Sequence, residues 1–483
     1  MATAPRIYAA FLLPVLLSAV LALPAAAEAV KGDKAELPSA SGPGYRFETA
    51  GWTFVHLEGD PAQIGFQHGQ LLKAEIEDLV HVTQVESLYS TKRAWAFYRE
   101  AGRKILWPHI DAEYQQELEG IARGAQSRGS KLDVWDIVAL NGSVDLTEYY
   151  VPWLNKRELA MNAPKILPKG RCSAFIATGS YTKDGKIVIA HTNWSDYAEG
   201  ARWTVIFDIK PEHGHRILMD GEPGVINSAD DFGFNDSGIM TTETGITQFE
   251  GFDPSGKSEF VRARKAMQYA SSVDEYVSIM KEGNNGGYAN DWLIGDRKTG
   301  EIAYLELGLK NTPLWRSKDG YFISSNFPRD PQLIKTEAPK FDPNNLSLSE
   351  NARRVTWEKK MAETKGRIDI GLAEKFLADQ YDSYTGKVQA DNRSLCGHVE
   401  KSADGVPEWD WGPYYPGGSV TGKVADSDLV AKMTLIANAG PPCGGNFLAA
   451  PFLAEHPEYS YLKPILKDIT SHPWITISAG DKK

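Results

Sequence analysis

Cys172 has the setting that most invites a chemical reading. It opens the apolar run CSAFIATG, directly after the loop NAPKILPKG and one arginine, Arg171. The chain has 3 cysteines, and the others, Cys396 and Cys443, lie far along it. A solitary thiol has three readings. It can act as a small buried hydrophobe. It can pair with a histidine in a papain-like arrangement, for which His68, His191 and His398 are available. Or the chain can cut itself between Arg171 and Cys172, giving the cysteine a free α-amine with a pKa of about 8. That amine would take the thiol's proton as base and return it to the leaving group. Nucleophile and base would then share one residue at the start of a strand.

Other patterns carry less. GFDPSGKS, residues 251–258, has the spacing of a phosphate-binding loop with Lys257 on the phosphates. Asp253 and Pro254 crowd that cradle, so the stretch reads as a polar loop with Ser258 capping the next helix. No G-x-S-x-G, H-E-x-x-H or C-x-x-C occurs, which leaves a serine nucleophile elbow unsupported. His213 and His215 share one strand face, a weak signal for zinc. No metal and no cofactor is expected.

The elements that must position Cys172 follow from periodicity. Residues 28–50 are polar and read as extended. From about 61 to 150 apolar residues recur at helical spacing, and Pro108 should break the second long stretch. After Cys172 the character changes to short β-rich runs bounded by turn residues. Asp184-Gly185 predicts a hairpin joining CSAFIATG to KIVIAHTNW. EFVRARKAMQYASSVDEYVSIM reads as one amphipathic helix, and NDWLIGDRKTGEIAYLELG as a second hairpin. GYFISSNFP is a strand running into a turn. Helices are predicted near 349–363 and 370–380, and strands near 419–438. A helical N-terminal part followed by a β-meander with packed helices predicts an α+β layered fold.

Composition narrows the function classes. The net charge is −11, with no basic block, so no nucleic-acid partner is expected. The N-terminus carries one arginine, an apolar run and Ala25-Ala26-Ala27, which fits a cleaved export signal over residues 1–27. No later segment is long and apolar enough to span a bilayer. The expected location is secreted or periplasmic, or lysosomal in a eukaryote. In such an oxidising compartment an odd cysteine count leaves one thiol unpaired within the chain. A bridge between Cys396 and Cys443 would leave Cys172 free, although connectivity is not fixed by sequence.

From Cys172 onward the chain resembles the phospholipase B-like family of N-terminal-nucleophile hydrolases. More distantly it is similar to the penicillin acyltransferase-like peptidases and bile-salt hydrolases. The motifs that carry the resemblance are CSAFIATG, AHTNWSDY, GVINSADDFGFNDSGIMTTETGI, NNGGYANDWLIGD, SSNFP, GGSVTGKVAD and HPWITI, in that order. PAQIGFQHGQLL, further upstream, adds to it. The resemblance implies a four-layer αββα core and self-cleavage before Cys172. It implies that the N-terminal fragment stays associated or is trimmed. It makes Cys172 the nucleophile and Asn326 an oxyanion donor, with Thr244 near the second oxyanion position. It places His191, Asn193 and Trp194 on the strand facing the nucleophile, and Asn290 and Asp291 in a segment shaping the substrate pocket. Three positions depart from the family pattern. Arg171 stands where relatives often have a small residue. HTNW inverts the polar pair. Ser195 stands where relatives tend to have an aspartate, with Asp196 one step along and on the other strand face.

The expected organisation is a signal peptide at 1–27, a mainly helical segment or propeptide at 28–171, and a catalytic region at 172–483. The expected activity is hydrolysis of an acyl bond, amide or ester, in a lipid-like or N-acylated small molecule. The alternatives are an acyltransferase of the penicillin acyltransferase type and a non-catalytic exported binding protein on the same scaffold.

Overall fold

The computed structural model describes Met1 and residues 42–158, 166–167, 171–229 and 232–482. The expected export signal and Asp230-Asp231 therefore lie outside the described residues. The description below concerns the unit Pro38–Lys483.

Fifteen strands build two main sheets. In chain order they are β1 (Tyr45–Thr49), β2 (Trp52–Gly59), β3 (Ser173–Gly179), β4 (Gly185–Asp196), β5 (Val205–Pro211), β6 (Ile217–Gly221), β7 (Gly233–Asn235), β8 (Ile239–Gly245), β9 (Asn290–Asp296), β10 (Glu301–Leu307), β11 (Leu314–Ser317), β12 (Gly320–Ser324), β13 (Gly417–Asp426), β14 (Thr434–Ala439) and β15 (Ile475–Ser478). The nine-stranded sheet runs β1-β2-β5-β6-β7-β8-β9-β10-β11. The six-stranded sheet runs β12-β3-β4-β13-β14-β15.

Strand alternation stacks the sheets. Ala174, Ile176, Ile187 and Ile189 of the six-stranded sheet pack against Ile206, Leu218, Met240 and Leu293 of the nine-stranded one. The alternate residues point outward. Val55, Phe207, Ile209 and Met219 lie under helices α1 (Pro61–Leu71), α2 (Lys73–Thr91), α3 (Ala112–Ser127) and α4 (Val134–Asn141). Trp292, Ile294, Ala303 and Leu305 lie under α5 (Glu259–Tyr269) and α6 (Val273–Lys281). On the far side Phe175, Ala177, Val188 and Ala190 are covered by α7 (Ser349–Thr364) and α8 (Ile370–Leu377). The layers are thus helix, sheet, sheet, helix, the expected αββα arrangement.

Local differences from the sequence reading have local causes. The single helix expected over 259–280 is two, because Ser272 starts α6 by accepting a hydrogen bond from the Glu275 amide at 3.2 Å. Ser258 sits at the N-cap of α5, but its side chain makes no cap hydrogen bond, and Lys257 pairs with Asp111 at 2.8 Å. The part before Cys172 is more than helical. It supplies β1 and β2, and β2 pairs in parallel with β5, so the nine-stranded sheet is built from both sides of the Arg171–Cys172 bond. α1 and α3 cross at glycines, where a Cβ on Gly124 would lie 2.1 Å from the Phe66 carbonyl oxygen.

Candidate active site

β3 and β4 pair antiparallel, with Ser173 opposite Thr192 and Ala174 opposite His191. Extending that register puts Asn193 across from Cys172. The thiol donates to Asn193 Oδ1 at 3.6 Å. Cys172 is 1% exposed and is the free cysteine, since Cys396 and Cys443 form a disulfide. Its φ of +84° is in the left-handed region, where a non-glycine residue stores about 1–3 kcal/mol. The strain therefore sits on the residue whose N-terminal peptide bond is the candidate for cleavage.

Asn326 supplies the second component. Its Nδ2 donates to the carbonyl oxygen of Arg171, and also to the Gly245 carbonyl at 2.9 Å. An amide donor is thus already aimed at the carbonyl that would become an oxyanion if Cys172 attacked it. Asn326 itself has a φ of +75°, so its surroundings must hold it. They do so through a directed chain. Ser324 Oγ donates to Asp291 Oδ2 at 3.0 Å. Its single proton being used, Ser324 accepts from Thr244 Oγ1 at 2.5 Å. Thr244 Oγ1 in turn accepts from the Asn326 backbone amide at 3.3 Å. Glu306 accepts from the Arg329 and Asp330 amides, fixing the turn just beyond Asn326. Burial, followed by the neighbouring Glu306, raises the Asp291 carboxyl well above the usual range. Glu306 is pushed up to about 7, chiefly by burial.

Arg353 on α7 is the residue that sequence reasoning missed. Its Nη1 donates to the Cys172 carbonyl at 2.6 Å and to Ser173 Oγ at 2.9 Å. Its Nη2 donates to Asn326 Oδ1 at 2.8 Å. One planar fork therefore sets both the nucleophile's backbone and the orientation of the Asn326 amide. Burial lowers its pKa to about 10. The guanidinium lies over the Trp194 ring at 4.4 Å. No motif announces Arg353, because it comes 181 positions after Cys172 and meets it only in the fold.

The expected site residues divide accordingly. Cys172, Asn193 and Asn326 meet. Thr244 reaches the site through Asn326, and Asp291 through Ser324. Trp194 alternates to the opposite face of β4 from Asn193, donates to the Leu395 carbonyl at 3.1 Å and touches the site through Arg353. His191 lies on the same face as Asn193 and packs 6.4 Å from the Phe232 ring. Asn290 begins β9 opposite Gly245, whose carbonyl binds Asn326. Of the other histidines, His68 accepts from the Gly224 amide at 2.8 Å, and His398 Nε2 lies 3.1 Å from Cys443 Sγ. His215 Nδ1 and Nε2 lie 3.1 and 2.8 Å from Asp236 and Ser271 respectively.

Two clefts border Arg171, with volumes of about 590 and 410 Å³, and Ser143, Val144 and Glu199 line both. The Arg171 side chain is buried, with Nη2 3.0 Å from Glu148 and 3.8 Å from Glu199.

The family model Phospholipase B matches residues 75–304, a span that contains Cys172 and ends before Asn326. Over that span the chain is similar to the phospholipase B family. Phospholipase B-like 1 of Bos taurus is 22% identical over 373 residues, 70% of this chain and 66% of that protein. Putative phospholipase B-like 2 of Homo sapiens is 32% identical over 166 residues, 30% of this chain and 28% of that protein. The matches thus span less than two-thirds of these relatives' own lengths. A solved structure of a mutant conjugated bile acid hydrolase from Clostridium perfringens aligns with a TM-score of 0.33 at 12% identity, over 56% of this chain and 89% of that one. Among the described residues, no helix is long and apolar enough to cross a membrane.

Proposed function

We propose that this chain is an exported, self-processing acyl hydrolase whose nucleophile is Cys172. The observation that carries the reading is the Asn326 side-chain amide donating to the Arg171 carbonyl, one bond from the cysteine. Cys172 Sγ attacks that carbonyl carbon, and Asn326 Nδ2 stabilises the oxyanion. The C–N bond breaks, the Cys172 nitrogen takes the thiol's proton, and water hydrolyses the resulting thioester. The freed α-amine then serves as base and acid for later substrates. The bond cleaved is an acyl bond, amide or ester, in a lipid-like or N-acylated small molecule, as the relatives' names suggest.

The strained φ of Cys172 supports cleavage at this bond, since release of Arg171 relaxes it. The Cys396–Cys443 disulfide supports an oxidising compartment, secreted or periplasmic. Because β2 and β5 pair across the cut, the N-terminal fragment stays associated with the catalytic region at 172–483. The test compares the wild type with Cys172→Ala on lysophospholipids and N-acyl amides, following release of the acid. Turnover of any of them by the wild type and none by the variant supports the reading. Wild-type turnover that survives Cys172→Ala places the nucleophile elsewhere. If an added amine captures most of the acyl group, the enzyme is a transferase.

A further inference from the structure

We infer that Cys396–Cys443 is an exchangeable disulfide, opened by a dithiol at Cys443, whose opening resets the surroundings of Cys172. The inference does not depend on the reaction proposed above.

The two sulfurs of the bridge are unequally placed. Cys396 is fully buried, whereas Cys443 is half-buried in the loop Pro441-Pro442-Cys443-Gly444-Gly445. Gly444 and Gly445 have φ of +83° and +90°, and a Cβ on either would meet nothing within 4 Å. An incoming thiolate therefore meets Cys443 first. Each sulfur also faces a donor. The Cys443 amide donates to Cys396 Sγ at 3.3 Å, and His398 Nε2 lies 3.1 Å from Cys443 Sγ. His398 Nδ1 lies 2.9 Å from Glu400 Oε1, so a carboxylate backs the protonated ring. An imidazolium beside a sulfur favours its thiolate. A stabilised thiolate is a better leaving group, and the disulfide that holds it opens more readily.

The steps balance with a dithiol as reductant. One of its thiolates attacks Cys443 Sγ, the S–S bond breaks, and Cys396 leaves as a thiolate beside the Cys443 amide. The reductant's second thiolate then attacks its own sulfur in the mixed disulfide, and Cys443 leaves as a thiolate facing His398. The reductant loses two electrons and becomes a disulfide, and its two protons end on Cys396 and Cys443.

Opening is felt at Cys172 because Cys396 lies between two contacts on Trp194. The Leu395 carbonyl accepts from Trp194 Nε1 at 3.1 Å. Gly397 rests on the indole, where a Cβ would lie 2.0 Å from the ring. The same ring carries the Arg353 guanidinium at 4.4 Å, and Arg353 Nη1 donates to the Cys172 carbonyl at 2.6 Å. The closed bridge ties this stretch to the loop at Cys443. The open one releases that tie and loosens the support under Arg353.

The test equilibrates the purified protein with dithiothreitol buffers of rising reduced-to-oxidised ratio. Labelling by iodoacetamide is then read peptide by peptide in a mass spectrometer. Cys396 and Cys443 are expected to become labelled together in native buffer. His398→Ala should need a ratio about ten-fold more reducing. Glu400→Gln, which keeps the imidazole, should shift the midpoint in the same direction. The labelling rate of Cys172 should rise about three-fold or more as the bridge opens. Labelling of Cys396 and Cys443 that requires urea makes the bridge purely structural and overturns the inference. A midpoint unmoved in both variants overturns it as well. So does a Cys172 labelling rate that stays constant across the transition, because the bridge would then have no hold on the site.

Discussion

Asn326 has two tasks at the residue scale. Its Nδ2 donates to the Arg171 carbonyl, the one attacked in the proposed self-cleavage, and its Oδ1 is held by Arg353. Asn326→Ala removes the donor and is expected to slow precursor cleavage about 10²–10³-fold, typical for loss of one oxyanion donor. Time-resolved intact mass measures this, and unchanged cleavage would remove Asn326 from the mechanism. Arg353 positions and does not react. Trp194 acts through it, as the ring beneath its guanidinium. A double-mutant cycle with Trp194→Leu and Arg353→Met should therefore be strongly non-additive in cleavage rate. Additive effects would mean that the two residues work independently.

At the element scale, strand alternation decides who meets whom. The pairing of β3 with β4 was legible from the hairpin signal at Asp184-Gly185, while Asn193 on the strand facing Cys172 was implied by the family resemblance. The same alternation turns Trp194 away, which the motif alone did not reveal. Arg353 and the Ser324–Thr244 link were illegible because both depend on the sheets and α7 closing over one another. Long-range contacts of this kind leave no periodic trace in sequence. The single helix over 259–280 was misread because Ser272, a local competitor for the backbone amides, starts a second helix. The hydrogen-bond chain from Asp291 to Asn326 has its own consequence. Thr244→Val keeps the shape and removes the acceptor for the Asn326 amide. Cleavage should slow roughly ten-fold, while stability in urea unfolding falls by only the loss of two buried hydrogen bonds, about 1–3 kcal/mol. A large stability loss with normal cleavage of the folded fraction would make Thr244 structural only. The crossing of α1 and α3 tolerates no side chain at Gly124, where a Cβ would meet the Phe66 carbonyl. Gly124→Val should destabilise by roughly 1–3 kcal/mol or more in urea unfolding, and a neutral effect would contradict that packing.

At the scale of the whole molecule, the two sides of the Arg171–Cys172 bond share one sheet. After cleavage the fragments should co-elute in size exclusion and separate only in denaturant. Acid should weaken the fold through His68, which ties α1 to the Gly224 amide. Burial, helped by Arg264, lowers its pKa from 6.5 to about 3. The folded protein keeps this imidazole neutral, while the unfolded chain protonates it near 6.5. Its contribution is fully present above pH 6.5 and is lost as the pH falls toward 3. His68→Gln, whose oxygen can accept from Gly224, should flatten the urea midpoint between pH 6.5 and 4. An unchanged slope would assign the acid sensitivity to other groups.

The central claim is that the chain opens itself at one bond. N-terminal sequencing and intact mass of the purified protein, beside Cys172→Ala, test it most directly. The account predicts a wild-type fragment beginning Cys-Ser-Ala-Phe and a variant that stays whole across that bond. A wild type that remains joined at Arg171–Cys172 under conditions where it is folded and active would contradict it.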